Sequence, residues 1–165
     1  MCLSAYGKNA KKKRAYRDIP IFKIVCDDNT SYYQKFRYQL GSIYKTRLAI
    51  HPVSVSDRTD LRVHDGFHSY RPEEVEVEYT DYLGSRVCIF EKEKDFSDIF
   101  YGTRGSQIGN YYDKAYIAKG YIPKNSTYIA DGHGCIVSTR ICLTESCPAA
   151  IFWGDNDALN AWIKQ

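Results

Sequence analysis

Tyr128-Ile129-Ala130-Asp131-Gly132-His133-Gly134-Cys135-Ile136-Val137 carries the clearest fold signal in the chain. Two short apolar runs flank Asp131-Gly132-His133-Gly134, four residues rich in types that tolerate positive φ and therefore close a tight turn. The stretch reads as a β-hairpin. Working outward, Arg140 to Leu143 continues as a strand, and Asn156 to Lys164 closes as a short helix with Ala158, Leu159, Trp162 and Ile163 on one side. Tyr111 to Ile122 contains a β-type run that stops at Pro123.

The same reading extends toward the N-terminus. Ile19 to Cys26 is a strand ended by the turn residues Asp27-Asp28-Asn29. Tyr32 to Leu40 alternates rings with polar residues before Gly41-Ser42, and Ile43 to Val55 is a further strand broken near His51-Pro52. Arg86 to Glu91 is another short strand. Arg71-Pro72-Glu73-Glu74 has the marks of a helix start, with an early proline and acids in the first turn. Val75, Val77 and Tyr79, however, alternate with Glu76, Glu78 and Thr80 in the period of a strand, so Pro72 to Tyr82 stays open between the two. The expected fold class is α+β: a single compact domain with a mostly antiparallel sheet and two or three helices. A basic N-terminal arm is expected over residues 1–17 and the globular domain over residues 18–165.

Composition supports that outline. A chain of 165 residues, 44% of them hydrophobic, can bury a real core in one domain. Fifteen Tyr against one Met favour pleated faces, and phenol hydroxyls suit a polar, ring-lined groove. The formal charge of +3 hides an asymmetry. Lys8, Lys11, Lys12, Lys13, Arg14 and Arg17 precede every acid; beyond them 17 basic residues face 20 acids. An acidic body with a basic arm offers Lys8 to Arg17 to an acidic partner or to nucleic acid. No segment reads as an export signal or a membrane span, so a cytoplasm is the expected compartment and no membrane partner is expected. Six cysteines lack the close pairs of a zinc ribbon or a redox site, and neither a metal nor a cofactor is expected.

The densest group of reactive side chains is Gly66-Phe67-His68-Ser69-Tyr70, preceded by His64 and Asp65. Imidazole titrates near working pH, so His68 suits a proton shuttle. Strand alternation puts His68 and Tyr70 on one face and Phe67 and Ser69 on the other, which makes His68 with Tyr70 the candidate catalytic pair. Lys124-Asn125-Ser126 follows Pro123 in a turn where amides and an ammonium can hold an anion. Gly102 to Asn110 offers a second anion loop with three glycines and Arg104, without the Gly-Lys-Ser/Thr ending of a Walker loop. Cys2 beside a freed α-amine is an alternative nucleophile.

Phe36-Arg37-Tyr38, Gly41 with Tyr44, Gly66-Phe67-His68-Ser69-Tyr70, Ile122-Pro123-Lys124-Asn125-Ser126, then Tyr128 and Ser138, together with the opening Met1-Cys2-Leu3, resemble a loosely defined group of short phage and gut-bacterial proteins. The resemblance spans about residues 19 to 144 and implies a phage or mobile-element origin without supplying a catalytic residue. The expected ligand-binding residues are Arg37, Tyr38, Ser69, Arg104, Lys124 and Ser126. The leading expectation is an accessory protein that binds a phosphorylated or nucleotide-like small molecule, such as a host defence signal. An enzyme on such a ligand, a nucleotide hydrolase or ADP-ribosyl-transferring type using His68 as acid or base, stands second. A protein-interaction or virion-associated role through the basic arm stands third.

Overall fold

Period-two hydrophobicity makes strands almost wherever the backbone is described. The structure, a computed structural model, describes residues 3–6, 10–31, 35–55, 58–80, 86–91, 109–111 and 115–165. In chain order these hold β1 (Leu3–Tyr6), β2 (Lys13–Arg14), β3 (Ile19–Val25), β4 (Ile43–Lys45), β5 (Ala49–Val55), β6 (Arg58–Asp65) and β7 (Phe67–Tyr70). They continue with β8 (Val75–Thr80), β9 (Arg86–Glu91), β10 (Gly109–Tyr111), β11 (Tyr116–Ile122), β12 (Thr127–Ala130), β13 (Cys135–Ser138) and β14 (Arg140–Pro148). A 3-10 turn at Ala149–Phe152 and one helix, α1 (Asn156–Lys164), complete them.

Every pairing is antiparallel, in an eight-stranded sheet ordered β2-β12-β13-β7-β3-β11-β14-β4 and two three-stranded sheets, β1-β6-β5 and β10-β9-β8. The large sheet cannot be flat. β13 and β14 stand four places apart in its order, a flat separation of about 19 Å, yet Thr139 alone links them, and one residue spans at most about 7 Å. The sheet therefore curls until its ends meet. Across that seam Thr139 N donates to Thr127 O at 2.9 Å, Thr46 N donates to Thr139 O at 2.8 Å, and Arg140 Nη2 donates to Lys124 O at 2.9 Å. β11 bends where its register with β14 shifts between Lys119 and Gly120, a bulge of the kind that lets a sheet close. Only glycine fits there, because a Cβ on Gly120 would lie 1.9 Å from Cys142 O.

Curling sorts the apolar residues into two cores. Ile21, Val25, Phe67, Ala118, Ile122, Ala130, Ile136, Ile141 and Leu143, drawn from six strands, meet inside the barrel. Phe22, Ile24, Tyr70, Ile117, Ile129 and Val137 point outward against Val75, Val77, Tyr79, Leu159 and Ile163. Asp155 caps α1 by accepting from Ala158 N at 3.0 Å. One turn apart on α1, Asn156 accepts from Tyr79 N, while Asn160 accepts from Val77 N and donates to Val77 O, each at 2.9 Å. These amides satisfy the backbone groups of β8, the outer strand of its sheet, as a further strand would.

Two expectations need correction. Among the described residues there is one α-helix and a 3-10 turn, not two or three helices. At Arg71 a helical turn does begin, with Arg71 O accepting from Glu74 N and Val75 N, but it ends at once in β8. Val75, Val77 and Tyr79 bury one face there, so the strand period overrides the local start signals. The break after β4 falls at Thr46 to Leu48, and Pro52 instead lies within β5, an edge strand where a missing N–H is tolerated. The hairpin of β12 and β13, β3 and α1 follow the sequence reading closely. The basic segment carries β1, paired to β6, and β2, paired to β12. Lys8, Cys2 and, with Arg104, residues 102–108 of the expected anion loop lie outside the described residues, while its last two, Gly109 and Asn110, begin β10. No helix among the described residues is long and apolar enough to cross a membrane.

Candidate functional site

Beyond Val25 the chain turns through Asp27 to Asn29 and returns along a narrow loop. Thr30 bridges Arg37, Ser31 N donates to Phe36 O at 2.8 Å, and Phe36 N donates back to Ser31 Oγ at 3.0 Å. Asn29 and Lys35 adopt left-handed φ of 61° and 54°, a region that asparagine tolerates and lysine rarely enters. This bracing sets Phe36 at the barrel end. Tyr38 is the anchor, 2% exposed within the interior core. Phe36 meets it at 4.9 Å between ring centroids and Tyr44 of β4 at 5.1 Å, both edge to face, with Phe67 of β7 at 6.0 Å.

Two hollows adjoin this cluster and share Tyr44. One, of about 490 Å³, is lined by Asp28, Asn29, Arg37, Tyr38, Gln39, Leu40 and Tyr44. The other, of about 450 Å³, is lined by Phe36, Tyr44, Lys45, Thr46, Arg47, Asp65, Gly66 and Phe67. Gly66 makes the second possible: its φ is 135°, and a Cβ would lie 2.4 Å from Val137 Cγ1 and 2.7 Å from Leu48 Cδ2. Its role is a tight left-handed corner that swings Phe67 inward.

Arg37, Lys45 and Arg47 supply positive charge, and among the described residues no carboxylate stands at ion-pair distance from any of them. The Asp28 carboxyl is held below its ordinary range, first by its hydrogen bond with Thr30 and last by the Arg37 charge. Burial, with the Tyr44 phenol adding to it, pushes the Tyr38 phenol well up, so it stays a neutral donor. The Tyr44 hydroxyl accepts from Gln39 N at 2.7 Å, which fixes the ring both hollows share.

The expected site residues divide among several places. Arg37 and Tyr38 meet here. His68 and Tyr70 point to the other side of β7, toward the outer core, as strand alternation requires. There His68 Nδ1 donates to Gly66 O at 3.2 Å and buried Nε2 finds no hydrogen-bond partner among the described residues. Burial, and then the Lys23 ammonium, pulls the imidazole down to about 4, so it is neutral at pH 7. Lys23 Nζ donates to His68 O at 2.6 Å, tying β3 to β7, and burial lowers that amine to about 8. Ser69 is fully buried, its Oγ without a hydrogen-bond partner among the described residues. Lys124 and Ser126 sit in the β11 to β12 turn: Lys124 N donates to Asp18 Oδ1 at 2.8 Å and Ser126 Oγ donates to Pro123 O at 2.5 Å. Asp18 precedes β3 and Asp28 follows it, but the turn neighbours the β4 side of the mouth across the seam: Arg140, the Cα partner of Lys45, donates to Lys124 O at 2.9 Å, and Lys124 and Ser126 line neither hollow.

The sequence reading passed over Phe36, Tyr44, Lys45, Arg47 and Phe67 as ligand contacts. A signal existed: Phe36-Arg37-Tyr38 and Tyr44-Lys45-Thr46-Arg47 both interleave rings with cations. Among the described residues no group of three His, Cys, Asp or Glu side chains stands close enough to hold a metal ion. Comparison of the chain with protein-family models, curated proteins and solved structures found no match.

Proposed function

We propose that this chain is a binding protein whose ring-lined barrel mouth captures a nucleotide-like small molecule bearing an anionic group. The observation that carries the reading is the meeting of Phe36, Tyr38, Tyr44 and Phe67 with Arg37, Lys45 and Arg47 around adjoining hollows of about 490 and 450 Å³. Both volumes fall in the range that small-molecule sites occupy, roughly 300 to 1,000 Å³. Phe36 is 36% exposed and Tyr44 half-buried, so each ring offers surface to a base, and the three cations suit phosphate oxygens. Asp28 and Asp65 at the rims favour hydroxyl-bearing ligands over bare polyphosphate.

Capture is favoured over turnover because the imidazole of His68 lies across β7 from this mouth, leaving the ligand without that acid or base. In a phage setting, sequestering such a ligand would blunt a host signal. Calorimetric titration with mono-, cyclic and dinucleotides tests the proposal, with chromatography of the recovered ligand. Binding that returns the ligand intact, weakened about tenfold by Tyr44→Ala or Arg37→Ala, is expected. No heat with any nucleotide rejects capture, and a converted ligand favours the enzyme.

A further inference from the structure

At the opposite end of β3 the basic segment is fastened rather than loose. Arg14 and Lys13 of β2 pair with Thr127 and Tyr128, Ala15 N donates to Ser126 O at 2.9 Å, and Asn125 N donates to Ala15 O at 2.7 Å. β2 is the outermost strand of the eight-stranded sheet, so among the described residues one of its edges has no neighbouring strand. Lys11, Lys12, Arg14 and Arg17 are exposed and Lys13 is half-buried. Five cations thus fall within seven residues, and among the described residues no carboxylate stands at ion-pair distance from any of them. Asp18, the nearest acid in sequence, accepts from Lys124 N. Tyr16 stands out of this row 76% exposed, with the Arg17 guanidinium 5.5 Å from its ring centroid.

We infer that Lys11 to Arg17 form a docking ridge for single-stranded nucleic acid, distinct from the mouth lined by Arg37. A fixed row of unneutralised cations attracts a polyanion. The bare ring beside a guanidinium selects one that carries bases, since unpaired bases stack on aromatic faces and double-stranded ones do not offer theirs. The adjoining crevice of about 70 Å³, lined by Tyr16, Arg17, Arg71, Tyr128 and Glu73, whose carboxylate pairs with Arg71 at 3.4 Å, is far below the roughly 300 Å³ of an enclosed small-molecule site. The strand therefore lies over the ridge.

Fluorescence anisotropy of the intact chain with a labelled oligothymidylate of about 20 nucleotides, from about 50 to 300 mM salt, tests this. With five cations engaged, log affinity against log salt falls with a slope of about −3.5. Replacing Lys11, Lys12 and Arg14 together by Gln reduces that slope by about 2. Tyr16→Ala weakens binding about tenfold and leaves the slope unchanged. All four positions are exposed, and circular dichroism melts verify that the variants remain folded. Four results would each overturn the inference: no binding at the lowest salt, tighter binding of a duplex, a silent Tyr16→Ala with polyglutamate competing equally well, or binding to phosphatidylserine vesicles in place of the oligonucleotide.

Discussion

The two ends of β3 use the same kinds of side chain and make opposite surfaces. At one end Phe36, Tyr38 and Tyr44 lock edge to face beside Arg37 and Lys45, and hollows form around them. At the other, Tyr16 stands clear of the body among Lys11 to Arg17, and only a small crevice adjoins it. What separates them is attachment. The first group is gathered from the loop before β4, from β4 and from β7, which the curl of the sheet forces together, whereas the second belongs to one edge strand and its flanks. A ring and a cation become a pocket only where separate strands converge.

Breaking the curl should abolish the contrast altogether. Gly120→Val drives a side chain into the backbone of β14 and should cost at least about 3 kcal/mol, read from urea melts, with binding lost at both ends. Phe67→Ala sharpens the contrast instead. It empties the interior beneath one mouth, lowering stability by about 3 kcal/mol and weakening nucleotide capture, while oligonucleotide binding at the ridge persists in the folded fraction.

The strands between the two ends carry a pH signature. His68 titrates at about 4 in the folded chain against 6.5 ordinarily, so the unfolded chain takes up its proton first as pH falls. Stability present above pH 6.5 is therefore lost progressively down to pH 4, by at most about 3 kcal/mol, and His68→Gln should flatten that limb of a urea-midpoint profile. Lys23 is likewise depressed, to about 8 from 10.5, so stability rises as pH climbs above 8. The gain is about 1 kcal/mol over the first pH unit. Above pH 9 the Cys135 thiol, pushed up to about 12 mainly by burial, opposes the rise, because the unfolded chain then loses that proton first. Lys23→Met should erase the gain. The smallest effect belongs to the ridge: Lys12→Gln, at a position that is exposed and has no ion pair among the described residues, should leave stability within about 0.5 kcal/mol of the parent chain, read from urea melts.

Local chemistry was legible wherever neighbours in sequence decide the outcome. The turn at Asp131 to Gly134, the run from Ile19 and the apolar side of Asn156 to Lys164 each encode their element within about ten residues. The alternation of Val75, Val77 and Tyr79 was legible too, and outweighed the proline and acids before it. His68 and Tyr70 share a face as alternation predicts, but alternation cannot say which face meets a ligand. That depends on what covers each side, here α1 and β8 on one and the barrel interior on the other.

The sequence by itself determined the strands, the hairpin, the C-terminal helix and the lopsided charge, because those follow from side-chain period, turn propensity and composition. Only the tertiary structure decided that Arg37 and Tyr38 would share a mouth with Phe67 while Lys124 and Ser126 would not. That choice rests on how far successive strands are staggered around the curl, and the stagger is set by pairings between residues distant along the chain.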